Sequence, residues 1–249
     1  SLEDIKKKKI IKLDLTKKIN NKLNQKIDWV IHTAAIHKVS DYKKKFNNNK
    51  NKNILMTKNL IELAKKKKIK NFIFFSTIDI SLKNMSGIKK DYNLSKLKSE
   101  KIILDAYEKK IFDKVIILRI PAILGKGANK NFLIDTIKNL KKNEKIIIND
   151  RLKYNNFVHI EDLCGLILKI FSYCKIHRNK NSCFLNTLNC LSSKYIHISK
   201  KILKIKNILN SSSKILILKK KDSYKFLSVK KNKFNFKFMT CDNAIKLIL

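Results

Sequence analysis

Arginine is almost missing from this chain, standing only at positions 119, 151 and 178, although 58 of the 249 residues are basic and only 19 are acidic. A formal charge of +39 would alone point to a nucleic acid or an anionic membrane as partner. Readers of nucleic acid, however, use Arg for bidentate base contacts and aromatic rings for stacking. The runs Lys6 to Lys9 and Lys65 to Lys68 offer neither. Lysine is spread along the sequence among abundant Asn and Ile, the pattern of A/T-rich codons, so a specific nucleic-acid role is disfavoured and non-specific phosphate binding at low salt is what remains of it. Other absences narrow the class further. No stretch approaches the ~20 apolar residues that cross a bilayer, and the first residues lack the continuous apolar core of a signal peptide. The five cysteines, at 164, 174, 183, 190 and 241, form no Cys-x-x-Cys pair and no His stands at zinc-finger spacing. Neither a metal site nor a membrane partner is expected, and buried reduced thiols in a cytoplasmic protein are.

What is present is enough apolar material, 44% hydrophobic and 8% aromatic residues, for one globular domain or one domain with a small appendage. Short β-branched and aromatic bursts at Ile10 to Leu13, Trp29 to Thr33, Phe72 to Ser76 and Val115 to Arg119 read as buried parallel strands. Between them, Asn53 to Lys67 and Asn93 to Lys109 carry apolar residues at helical spacing, which makes βαβ units. The Asn/Lys tract from Asn47 to Asn53 reads as a solvated loop. Ile146 to Ile148 and Phe184 to Asn186 read as later strands, with helices and short strands from about Phe132 and a last helix from Asp242.

The segment Tyr92-Asn93-Leu94-Ser95-Lys96, preceded by Ser76-Thr77 at the end of an apolar burst, carries the chemistry. A Tyr and a Lys four residues apart share one helix face, and an ammonium beside a phenol lowers its pKa from about 10 toward neutrality. With the hydroxyl of Thr77 delivered from a strand end, such a pair can take a proton from a substrate alcohol while hydride leaves its carbon. Taken alone in a Lys-rich chain, the pair reads first as a packed Tyr with a solvated Lys one turn on.

Around that segment stand Leu13-Asp14-Leu15-Thr16, Asp28-Trp29-Val30-Ile31-His32-Thr33-Ala34-Ala35, Asn53 to Leu60, Asn71 to Thr77, Leu118-Arg119-Ile120-Pro121 with Gly125 and Gly127, and Phe157-Val158-His159-Ile160-Glu161-Asp162-Leu163. In this order the landmarks resemble those of the extended short-chain dehydrogenases, the NAD-dependent epimerase/dehydratase family of sugar-nucleotide enzymes. The resemblance implies an α/β fold: a Rossmann-like parallel sheet with helices on both faces, truncated at the N-terminus, plus a small C-terminal substrate-binding part. It divides the chain into a cofactor-binding domain, 1–130, and a mainly substrate-binding part, 131–249, with some segments returning to the first. The family's Gly-x-x-Gly-x-x-Gly turn, which seats the cofactor pyrophosphate on a helix N-terminus, has no counterpart here, because the four glycines are at 87, 125, 127 and 165. An incomplete copy, a fragment or a decayed gene, is therefore one expectation.

Carried over residue by residue, the resemblance makes Thr77, Tyr92 and Lys96 catalytic, with Tyr92 and Lys96 also at the cofactor. Asp14 and Leu15 would meet its adenine, Ala34 and Ala35 would line its groove, and Pro121 to Ile123 would pass beside the nicotinamide. Asp14 as a plain helix N-cap, the alanines as close-packing residues and 121–123 as a rigid turn are the open alternatives, and His32 reads as a satisfied strand histidine. On the substrate side, Asn155-Asn156 replaces a family Arg-Asp, Arg151 stands four residues upstream as a substitute, and Thr77 touches the reacting oxygen. The implied substrate is a nucleotide-linked sugar in cell-surface polysaccharide synthesis, the cofactor NAD with NADP not excluded, and a homodimer an open partner. Thr77 is followed by Ile78-Asp79-Ile80 and not by the Asp-Glu pair of dehydratases, which leaves an epimerase or keto-sugar reductase ahead. A catalytically inactive remnant and, last, a basic binding protein on the same fold are the alternatives.

Overall fold

A computed structural model describes residues 11–19, 26–36, 48–82, 90–128, 131–150, 153–177, 183–218 and 226–249. The chain divides into two compact units, one of Ser1–Phe74, Met85–Ile116 and Cys183–Leu185, the other of Phe75–Asn84, Ile117–Ser182 and Asn186–Leu249. The expected α/β class is borne out. Strands β1 (Trp29–His32), β2 (Asn71–Thr77), β3 (Lys114–Ile120) and β7 (Phe184–Asn189) form one four-stranded sheet in the order β1-β2-β3-β7. β1 runs parallel to β2, with His32 in register with Phe74. Phe72, Ile73 and Phe74 of β2 and Val115 to Leu118 of β3 are all but inaccessible, as expected of central strands covered on both faces, and explain the unbroken apolar bursts that mark them in the sequence.

In the first unit, helices α1 (Asn48–Lys66) and α2 (Lys90–Glu108) pack against each other. Both end in the same way. Lys68 (φ 55) and Lys110 (φ 58) occupy the left-handed position, and the next amides, of Ile69 and Ile111, return to the carbonyls of Ala64 and Ala106 at 2.9 and 3.0 Å. That is the bonding of a Schellman end, here with Lys where Gly is the usual residue. Two expectations are corrected. Asn48 to Asn53 belong to α1 and are not a solvated loop, because Asn53 is buried and bonded; Asn47 lies outside the described residues. Residues 11–13 are not a strand, since none of their backbone groups enters a ladder among the described residues; Ile10 lies outside them.

The second unit holds β4 (Ala122–Leu124), α3 (Phe132–Lys141), β5 (Ile146–Asn149), β6 (Phe157–His159), α4 (Ile160–Ile176), α5 (Ile198–Ile208), β8 (Ile215–Leu218) and α6 (Cys241–Lys246). β4 pairs with β6 and β5 with β8, both parallel. One apolar cluster joins Leu133, Ile137 and Leu140 of α3 to Ile146 and Ile148 of β5 and Ile198, Ile202 and Ile205 of α5. Gly125, at φ +135, follows β4 where a Cβ would lie 2.5 Å from Ile160 Cγ2, so only glycine fits. Three cysteines, 174, 190 and 241, are buried as expected, and Cys164 and Cys183 are exposed instead; all five are free thiols.

Candidate functional site

Tyr92 and Lys96 lie one turn apart on α2, so their side chains share a face. Lys96 is 2% exposed, and its Nζ stands 4.6 Å from the centroid of the Phe74 ring and 5.9 Å from that of Tyr92. Burial pushes the ammonium down to about 8, opposed by the nearby Glu100 carboxylate. At neutral pH it is still mainly a cation. Solvation is replaced in part by the face of the Phe74 ring, whose quadrupole attracts positive charge. The lysine is therefore not the solvated surface residue that its one-turn spacing from a packed Tyr also allowed.

The turn that carries Tyr92 is tied to two other segments of the same unit. Asn53, one turn into the buried face of α1, accepts from the Ile36 amide (2.8 Å) and donates to the Ile36 carbonyl (3.1 Å) and to Ser95 Oγ (3.1 Å). Ser95 Oγ in turn donates to the Tyr92 carbonyl at 2.7 Å. The chain just past β1, where Ala34 and Ala35 are half-buried, is thereby fastened to α1 and through Ser95 to α2. One helical turn further on, Thr57 Oγ1 stands 3.2 Å from the Asn53 carbonyl, 3.1 Å from Ser99 Oγ and 3.0 Å from His32 Nε2. The single Thr57 hydroxyl proton can go to the Asn53 carbonyl or to Ser99 Oγ, and His32 Nε2 bonds the same oxygen in a role set by its tautomer. His32 Nδ1 is buried and has no hydrogen-bond partner among the described residues. Burial, with the Lys96 charge second, holds His32 down to about 3 and keeps it neutral. The strand histidine is thus satisfied at one nitrogen only.

Asp14 caps no helix. Its Oδ1 accepts from the amide (3.0 Å) and hydroxyl (2.7 Å) of Thr16, which holds the exposed carboxyl below its usual range. Asn59 of α1 donates to the carbonyls of Leu15 (2.8 Å) and Lys17 (3.0 Å), so this turn too is hung on α1. Asn53, Thr57, Asn59, Ser95 and Ser99 were absent from the site read from the sequence. Their signal was there for four of them: Asn53 and Thr57, and Ser95 and Ser99, stand four residues apart, so each pair shares a face of its helix.

In the second unit Thr77 is the last residue of β2 and the N-cap of a 3₁₀ turn, Ile78–Ile80, accepting from the Asp79 amide at 3.3 Å. Ser81 closes that turn, donates to Asn189 Oδ1 (2.7 Å) and accepts from Arg119 Nη1 (3.0 Å). Pro121 and Ile123 are half-buried between and within β3 and β4, and the Ile123 carbonyl accepts from Asn131, the N-cap of α3, at 3.1 Å. Asn155 is 1% exposed and donates to the carbonyls of Ser192 (3.4 Å) and Leu227 (3.1 Å). Arg151 lies outside the described residues. His159 caps α4, its Nδ1 accepting from the Glu161 amide at 3.4 Å. Among the described residues no group of three His, Cys, Asp or Glu could hold a metal ion, and no helix is long and apolar enough to cross a membrane.

The profile of the NAD dependent epimerase/dehydratase family matches residues 1–181. No curated protein sequence matches the chain. Among solved structures, MoeE5 in complex with UDP-glucose and NAD is similar at a TM-score of 0.71 and 17% identity, over 96% of this chain and 83% of that one. RMD from Pseudomonas aeruginosa complexed with NADPH is similar at a TM-score of 0.73 and 18% identity, over 96% and 87%. UDP-glucuronic acid 4-epimerase from Bacillus cereus in complex with NAD follows at 0.70 and 21%, over 88% and 72%. At these identities the likeness establishes the fold.

Proposed function

Because the chain belongs to the NAD dependent epimerase/dehydratase family, we propose that it is an NAD(P)-dependent epimerase or keto-sugar reductase acting on a nucleotide-linked sugar, in the cytoplasm and in the synthesis of cell-surface polysaccharide. One observation carries the reading: a buried lysine, Lys96, and a tyrosine, Tyr92, on one face of α2, in a turn held by Asn53 and Ser95. Tyr92, ionised with the help of the Lys96 charge, takes the proton of the sugar hydroxyl, and Thr77 hydrogen-bonds the reacting oxygen. By the family resemblance, positions 155 and 151 are the ones assigned to the nucleotide end of the substrate, as Asn155 and Arg151.

The residues present fit a nicotinamide dinucleotide in kind. A buried ammonium suits its ribose hydroxyls, and two alanines directly past β1, among the smallest side chains, leave room for its backbone. Asp14 and Leu15 would hold the adenine side, and Pro121 and Ile123 the nicotinamide side. When bound, the group supplies acceptance and return of hydride at the sugar carbon. Ile78-Asp79-Ile80 after Thr77 lacks the adjacent acid and base that elimination of water needs, which favours epimerisation or reduction over dehydration.

A second reading is a catalytically inactive relative on the same fold. One experiment separates the two. The 249-residue protein, and the same protein with a family βαβ unit joined ahead of Ser1, are incubated with NAD and UDP-sugars while the C4 configuration is followed by NMR. Turnover that falls by ~10²-fold or more in Tyr92→Phe supports the enzyme reading. Turnover indifferent to Tyr92→Phe removes the mechanism, and no turnover by either protein leaves the inactive relative.

A further inference from the structure

The 3₁₀ turn that begins at Thr77 is pinned at both ends. At its start the Thr77 hydroxyl accepts from the Asp79 amide, and at its end Ser81 returns its own amide to the Ile78 carbonyl. Three residues of 3₁₀ helix are marginal by themselves, because the few bonds formed hardly offset the backbone entropy lost. Ile78 and Ile80 are buried and anchor the turn from one side. The Ser81 hydroxyl anchors it from the other, using both capacities of its oxygen: it donates to Asn189, the last residue of β7, and accepts from Arg119, next to last in β3. Those two strand ends are themselves joined, since the Cys190 amide donates to the Arg119 carbonyl at 3.0 Å.

We propose that Arg119 and Asn189, acting through the Ser81 hydroxyl, are positioning residues that fix the 78–80 turn and so aim the Thr77 hydroxyl. The proposal rests on the reading that Thr77 touches the reacting oxygen. Without the clamp the turn's C-terminal end is held, among the described residues, by the Ser81 and Leu82 amides on the Ile78 carbonyl and by apolar contact, and the 3.3 Å bond that orients Thr77 is the longest in the chain of contacts. Small misplacement of a group in the reacting shell costs rate more than binding.

The test uses whichever form of the protein turns over. Ser81→Ala is expected to lower kcat by on the order of tenfold with KM changed by less than about twofold, and Ser81→Thr, which keeps a hydroxyl, to recover most of the loss. In a Thr77→Val background Ser81→Ala should have no further effect. An equal effect of Ser81→Ala in both backgrounds, or no recovery in Ser81→Thr, overturns the clamp while leaving the role of Thr77 standing. A Thr77→Val variant with full activity overturns that role, and the clamp with it. A second measurement needs no turnover: in the 249-residue chain, Ser81→Ala should speed hydrogen exchange at the Asp79 amide by on the order of tenfold while the amides of Ile116 to Leu118 are unchanged. Unchanged Asp79 exchange overturns the proposal.

Discussion

Two helix pairs, one in each unit, are packed by opposite means. α3 meets α5 through Leu133, Ile137 and Leu140 against Ile198, Ile202 and Ile205, and the polar residues buried there are satisfied close by: Thr136 donates to the Phe132 carbonyl of its own helix at 2.7 Å. α1 meets α2 across a seam in which Asn53, Thr57, Ser95 and Ser99 are all buried, and their bonds cross from one helix to the other. Apolar contact tolerates sliding by a fraction of a turn, because dispersion is non-directional. Hydrogen bonds between buried groups do not, since a shift leaves donors and acceptors unpaired in a low dielectric. The pair that carries Tyr92 and Lys96 is the one whose register is set by directional bonds.

The contrast can be broken most severely at the apolar pair. Ile202→Ala should cost about 2–5 kcal/mol of stability in urea titration, the range for a fully buried large-to-small change. A loss below about 1 kcal/mol would show that this core relaxes around the cavity. At the polar seam, Asn53→Ala leaves the Ile36 amide and carbonyl without the Asn53 side chain, and a cost of about 1–3 kcal/mol is expected. Thr136→Val, which removes only a bond within its own helix, should cost about 1 kcal/mol or less, and equal costs for the two would erase the distinction.

Lys96 sharpens the contrast by its sign. Its folded pKa of about 8 lies below the ordinary 10.5, so the unfolded chain binds the proton more tightly and burial of the charge destabilises the fold below pH 8. Stability recovers as pH rises from about 8 to 10.5. Lys96→Met is expected to stabilise the protein at pH 7 by on the order of 1–2 kcal/mol, less than the full shift because the Phe74 contact is lost with the charge. A destabilised Lys96→Met would mean that the ammonium is well solvated by the protein. His32 acts in the acid range: the unfolded imidazole takes a proton below 6.5, the folded one only near 3. Stability should therefore be intact above pH 6.5 and fall by roughly 1.4 kcal/mol per pH unit below it, a slope that His32→Gln should abolish in thermal melts across pH 4 to 7. The smallest effect lies at the helix ends, where Lys68→Gly should gain about 0.5–1 kcal/mol by relieving the left-handed strain, and no gain would mean that Lys side-chain contacts offset it.

How much of this was legible depended on whether the signal was local. β1, β2, β3, β5 and β7 were read within a few residues, because each is a short apolar burst whose neighbours are polar, and α1 and α2 because their apolar residues recur at helical spacing. The start of α1 was misplaced by the Asn/Lys composition of residues 48–53, which favours loops when nothing is known of Asn53's partners. Residues 11–13 carry strand-like side chains, yet a strand is defined by its neighbour. Tyr92 and Lys96 could be put on one helix face from their spacing alone, while the burial of Lys96 could not, since a lysine in a lysine-rich chain looks like surface.

The sequence by itself determined the α/β class, the order of most strands and helices, and the family, because these rest on periodicity and on motifs contiguous in the chain. Tertiary structure alone decided that Asn53 joins Ile36 to Ser95, that His32 is neutral with one nitrogen left over, and that Ser81 meets Arg119 and Asn189. The physical reason is the same in each case. A polar side chain declares a capacity to bond, but its partner lies 17, 42 or 108 residues away, and only the packing of the apolar segments between them settles which capacities meet.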